Sequence, residues 1–168
     1  VCWKEHFWSM RRPIRCRSMQ KSLLPVHENT TICNAVIDTN VLVSAVLKWE
    51  SLPGHIMQLA FCGTIRPLLN ETIRCEYHEV LLRPKFHLTE ELVHDILRGM
   101  EAHAVFVDAP TLDIDLPDPK DRVFYEVLMA ARQHRHSVLV TGNMKHFPKA
   151  PYILTPRELL LTLNICRP

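Results

Sequence analysis

The chain has only four glycines among 168 residues, and that scarcity removes several chemistries at once. There is no G-x-G-x-x-G dinucleotide fingerprint, no G-x-x-x-x-G-K-[ST] phosphate loop and no G-x-S-x-G nucleophile elbow, so nucleotide binding through a glycine loop and serine hydrolase chemistry have no sequence support. No apolar run approaches the ~18 residues a membrane helix needs. The six cysteines (Cys2, Cys16, Cys33, Cys62, Cys75, Cys166) are scattered and form no C-x-x-C. A chain of this size needs no staples, so free thiols in a reducing, cytoplasmic compartment are the expectation. The ten histidines also avoid the short paired spacings of structural zinc sites, and His134 and His136, flanking Arg135, read as a solvated turn.

What is present is an ordinary globular composition, 47% hydrophobic and 23% charged, enough for one domain with one core. The net charge of +2 is unevenly spread. Residues 1–31 carry six Lys or Arg against Glu5 and Glu28, so residues 32–168 hold fourteen basic and sixteen acidic residues. The aromatic residues Trp3, Phe7 and Trp8 show no period, and Arg11-Arg12-Pro13 interrupts any helix. Residues 1–31 are therefore expected to be a basic extension outside the core, with the folded domain over residues 32–164.

From residue 32 the pattern alternates. Strands are predicted at 35–37, 66–69, 105–107, 138–140 and 153–154. Helices are predicted at 40–47, 54–62, 71–82, from 89 and from 118, with the last opened by the capping box Thr155-Pro156-Arg157-Glu158. Gly63 suits a left-handed helix end, and Asn70 suits a helix cap. This alternation predicts an α/β fold with a parallel sheet flanked by helices, whose ligands bind beyond the carboxyl ends of the strands.

Several acidic residues fall at that kind of address. Asp38 ends an apolar strand, with Thr39 and Asn40 beside it to orient a carboxylate or water. Helix capping by Asp38 or Asn40 is the competing reading. Glu76 and Glu79 share a helix face, which a solvated acidic face also explains. Asp118 and Asp121 open a helix, where Asp118 fits the cap, Pro119 the first turn and Asp121 the position that reaches back to the cap amide. Asn143 follows a strand with Thr141-Gly142. If these positions converge, their mutual repulsion calls for a hard divalent cation such as Mg²⁺ or Mn²⁺, which can activate water against a phosphodiester.

The run Ala35-Val36-Ile37-Asp38-Thr39-Asn40-Val41-Leu42-Val43-Ser44-Ala45 resembles the opening of bacterial PIN-domain proteins of the toxin-antitoxin type. Glu76-Tyr77-His78-Glu79-Val80-Leu81-Leu82-Arg83-Pro84-Lys85-Phe86, Asp118-Pro119-Lys120-Asp121-Arg122 and Thr141-Gly142-Asn143-Met144-Lys145-His146-Phe147-Pro148 resemble the second, third and fourth motifs, in order over residues 33–163. The resemblance implies a flavodoxin- or Rossmann-like sheet and a metal-dependent endoribonuclease of the cytoplasm. It implies Asp38, Glu76 and Asp121 as catalytic metal ligands, with Asp118 accessory and Asn143 at the fourth position, where many PIN domains carry aspartate. Thr39, Asn40 and Thr141 are accessory, Glu79 is peripheral, and Arg83, Lys85, Lys145 and His146 are RNA-contact candidates. Phe86 and Phe147 serve either base stacking or the core. Implied partners are RNA, an antitoxin protein and a second copy of the chain in a homodimer. A housekeeping RNA-processing nuclease and a non-cleaving binding module, the latter favoured by Asn143, are the alternatives.

Because residues 1–30 show no period that would pack on a sheet, their deletion is expected to leave a cooperative thermal transition near that of the full chain. Aggregation or a broad melt after deletion would put Trp3, Phe7 or Trp8 in the core.

Overall fold

The computed structural model describes residues 32–163. The basic extension 1–31, with Cys2 and Cys16, and the terminal residues 164–168, with Cys166, lie outside them. Five parallel strands, β1 (Cys33–Ile37), β2 (Ile65–Leu69), β3 (Val105–Phe106), β4 (Ser137–Val140) and β5 (Ile153–Leu154), form one sheet in the order β3-β2-β1-β4-β5. Six helices flank it: α1 (Thr39–Leu47), α2 (Leu52–Phe61), α3 (Glu71–Leu81), α4 (Glu90–Glu101), α5 (Arg122–Arg132) and α6 (Pro156–Thr162). This is the α/β parallel architecture that the alternation predicts. No helix among the described residues is long and apolar enough to cross a membrane.

The strand order sets the position of the site. The chain builds outward from β1 through β2 to β3, then returns to the other side of β1 for β4 and β5. Beyond the carboxyl ends of β1 and β4 the connections diverge, and a crevice opens there. Register then decides which residues face it. Ile37 pairs with Val140, so Asp38 and Thr141 leave the two strands side by side. The central strands are buried from Ala35 to Ile37 and from Ser137 to Val140; Ala35, Val36, Leu139 and Val140 have no exposed surface. On the sheet, α5 contributes Phe124, Val127, Leu128 and Ala131 to the core.

Local capping chemistry accounts for most helix boundaries. Asn70 and Thr89 accept from the backbone N–H groups of Ile73 and Leu92, and the Thr155–Glu158 box is complete. Gly63 has φ 76°, the left-handed value expected after α2. Most boundaries move by one or two residues from expectation, β1 for instance beginning at Cys33 rather than at residue 35, and three of the differences are informative. α2 begins at Leu52 rather than at residue 54, because the Ser51 hydroxyl caps Gly54 N–H and Pro53 fits the first turn. β3 is one residue shorter than predicted, although Val107 N–H still donates to Leu69 O at 2.8 Å. The helix expected from Asp118 starts as a 3-10 turn at Pro119–Asp121, with the α-helix beginning at Arg122.

Gly54 is needed for close approach: a Cβ built there would lie 1.8 Å from the Trp49 carbonyl oxygen. Gly54→Ala is expected to lower stability by about 1–3 kcal/mol, since backbone must move to admit it. Gly142→Ala meets nothing within 4 Å and is expected to stay within about 0.5 kcal/mol of the parent. Denaturant melts of the two variants compare these effects directly.

Candidate active site

Asp38 is the most enclosed of the charged groups at the crevice, with 2% of its surface exposed. It terminates β1 and caps α1, its Oδ1 accepting from Asn40 N–H at 3.0 Å. Its Oδ2 accepts from the Thr141 hydroxyl at 2.5 Å, across the β1–β4 register just described. Thr141 in turn accepts from Asn143 N–H at 2.9 Å, which holds the turn after β4. The capping and site readings of Asp38 are therefore both realised in one side chain. Asn40 serves it through its backbone N–H, and the Asn40 side chain is exposed.

Glu76 reaches the same place from α3. Its Oε1 accepts from the Thr39 hydroxyl at 2.6 Å. The neighbouring Tyr77 is buried, donates to Ile37 O and tilts against Phe124 at 6.4 Å, pinning α3 to the end of β1. The Glu76/Glu79 pair is divided by contact: Glu76 is half-buried and held by Thr39, whereas Glu79, one turn further along the same groove, is exposed and 3.8 Å from Arg83.

Asp118 and Asp121 come from the turn before α5. Asp118 Oδ1 accepts from Lys120 N–H at 3.0 Å. Asp121, expected to reach back to the cap amide, instead meets His146 Nδ1 through its Oδ2 at 2.7 Å. The reason is the 3-10 start, in which Asp118 caps Lys120 and Asp121 N–H bonds Asp118 O, so no cap donor faces the Asp121 carboxylate. Ligand atoms of Asp118, Asp121 and His146 lie within 4.8 Å of one another. His146, half-buried, thus belongs among the carboxylates, which motif matching alone did not indicate.

The remaining sequence candidates lie further out. Lys85 is exposed, with its ammonium 4.8 Å above the half-buried Phe86 ring, and Lys145 is exposed. Phe147 is 5% exposed and is a core anchor, which decides between the two readings of that residue. Asn143 presents its backbone to Thr141, and its side chain makes no cap hydrogen bond. A groove of about 510 Å³ runs along α3, lined by Cys75, Glu76, Glu79, Val80, Arg83 and Lys120. Lys120 enters this groove from the motif turn, between Asp118 and Asp121, the one sequence signal of its place here.

Electrostatics follow from this crowding. The Glu76 carboxyl is raised above its ordinary value, first by burial and then by repulsion from Asp38 and Asp121, against the opposing Thr39 hydrogen bond and Lys120 charge. Asp121 is raised by burial first, with Asp38 and Asp118 adding repulsion and the His146 contact opposing them. Such a group binds its proton more readily in the native state. Its contribution to stability is present at low pH and is lost as pH rises through the raised native value. In chelator, stability is expected to fall from the ordinary carboxylate range toward neutrality, and Glu76→Gln is expected to flatten that fall. Denaturant melts at stepped pH check this, and parallel curves for parent and variant would contradict it.

Hard oxygen donors that repel one another when left alone suit a divalent cation, and the arrangement thus fits the group such a site implies. Comparison with curated proteins and with solved structures found no significant match. The family model of the PIN domain matches residues 34–145, a span that begins in β1, ends beside His146 and takes in Asp38, Glu76, Asp118 and Asp121. Its members are in general metal-dependent nucleases, and the chain belongs to the PIN domain family.

Proposed function

We propose that this protein is an endoribonuclease using Mg²⁺ or Mn²⁺, and that it is the toxin component of a toxin-antitoxin pair in the cytoplasm. What supports the nuclease reading is that Asp38 at the end of β1, Glu76 held by the adjacent Thr39 hydroxyl at 2.6 Å, and the Asp118/Asp121/His146 group come from separate elements of a PIN-family domain to the carboxyl-end side of one sheet. Carboxylates held in mutual repulsion cost the fold stability, and a bound cation relieves that cost. The toxin assignment rests on the four motifs that resemble that branch of the family.

In this reading Asp38, Glu76 and Asp121 hold the metal, with Asp118 accessory and Asn143 at its margin as a neutral donor. A metal here supplies Lewis acidity and lowers the proton affinity of water beside the scissile phosphorus. The residues of the chain provide orientation. Thr141 and Asn40 N–H fix both oxygens of Asp38, and Thr39 fixes Oε1 of Glu76. Arg83 and Lys120 line the groove beside Glu76 and bring positive charge to an incoming backbone, as Lys85 and Lys145 do from exposed positions. An antitoxin segment in the same groove would exclude RNA, and a homodimer is the assembly that the resemblance implies. Asn143, an amide at the fourth motif, favours a second reading in which the crevice binds RNA without cutting it.

Asp38→Asn and Glu76→Gln are each expected to abolish Mg²⁺- or Mn²⁺-dependent RNA cleavage, while Glu79→Gln has a mild effect. The cation-induced rise in Tm should shrink in the first two variants. Cleavage of an RNA panel by purified protein, with and without chelator, is the measurement. Equal loss at all three positions would defeat the assignment, and binding without cleavage by the parent would select the second reading.

A further inference from the structure

We infer that Asp118, Asp121 and His146 form a mixed oxygen–nitrogen cation site whose imidazole makes it select Mn²⁺ over Mg²⁺. The inference rests on the metal-dependent reading above and assigns to His146 a role as ligand rather than as an RNA contact.

Its basis is geometric. The three residues come from two segments, the turn before α5 and the turn after β4, and their ligand atoms all fall within 4.8 Å of one another. Around an ion with bonds of ~2.1 Å, donors at right angles lie about 3 Å apart and opposed donors about 4.2 Å apart. The 2.7 Å approach of His146 Nδ1 to Asp121 Oδ2 is near the first spacing, and all the donor atoms lie within 4.8 Å of one another, close enough to gather around one ion with little movement.

The carboxylates differ in what already holds them. Both oxygens of Asp38 and one of Glu76 accept from donors of the chain itself, Asn40 N–H and the hydroxyls of Thr141 and Thr39. In the other group, Asp118 is oriented by Lys120 N–H while Asp121 and His146 engage each other. The polar partner of Asp121 is therefore itself a ligand type.

Donor chemistry then sets the preference. Carboxylates serve Mg²⁺ and Mn²⁺ alike, but Mg²⁺ keeps to oxygen and water, whereas imidazole is a good ligand for transition metals. Two carboxylates and one imidazole thus favour Mn²⁺ and the later divalent ions of the series.

The test is calorimetric titration of the full chain with Mn²⁺ and with Mg²⁺, for the parent, His146→Ala and His146→Asp, after chelator melts establish that each is folded. The parent is expected to bind Mn²⁺ more tightly. His146→Ala should lose at least about tenfold in Mn²⁺ affinity with little change for Mg²⁺. His146→Asp, which restores an all-oxygen set, should narrow the preference from the Mg²⁺ side. Unchanged Mn²⁺ binding in His146→Ala, or an equal loss for both ions, overturns the site. If the variants do not fold, the parent's Mn²⁺ electron spin-echo spectrum decides: nitrogen coupling is expected, and its absence overturns the inference. Mn²⁺ selection through His146 without RNA cleavage would remove the nuclease reading alone. Cleavage by a protein that shows no His146-dependent selection would remove this inference alone.

Discussion

The hydrogen bond from the Thr141 hydroxyl to Asp38 Oδ2 ties the two central strands together at the point where their connections part. A carboxylate with 2% of its surface exposed is costly unless its oxygens are satisfied, and here one is met by a side chain of β4's exit and the other by the first turn of α1. The rest of the site depends on this fixed charge. Glu76 and Asp121 approach it from α3 and from the turn before α5, and both feel its repulsion.

Each approaching carboxylate has its own local support. Thr39 donates to Glu76, so the residue following Asp38 in sequence links β1 to α3. Tyr77, adjacent to Glu76, donates its buried hydroxyl to Ile37 O, the last carbonyl of β1. Asp121 is held by His146 on the turn that Thr141 and Asn143 shape. A short set of hydroxyls and one imidazole thus arranges the acids and leaves their like charges close together at the crevice.

The sheet around this crevice is conventional in its physics. Its two central strands are apolar over Ala35–Ile37 and Val138–Val140, and the residue that follows each, Asp38 and Thr141, is polar and buried. Placing charge at strand ends keeps it out of the core while leaving it rigidly backed. That arrangement lets a small domain carry several ionisable groups at one edge without disrupting its packing.

Hydrophobic alternation, turn residues and caps by themselves determined the order of five strands and six helices and the parallel class, and they put Asp38, Asp118 and Asp121 at strand or helix ends; Glu76 was singled out from Glu79 by the motif resemblance. These are local properties: periodicity reports which face is buried, and Asn70, Gly63 or Thr155-Pro156 signal an end without knowing what lies across the fold. Where a competing local signal existed, boundaries moved, as at Ser51 and in the 3-10 turn at Pro119–Asp121. Only the tertiary structure decided who meets whom. The register that sets Thr141 beside Asp38, the hydrogen bond from Thr39 to Glu76, the burial of Phe147 and the pairing of His146 with Asp121 all depend on residues far apart in sequence. A one-residue motif context cannot distinguish an imidazole that faces phosphate from one that faces a carboxylate, because that direction is set by the packing of two turns brought together by the sheet.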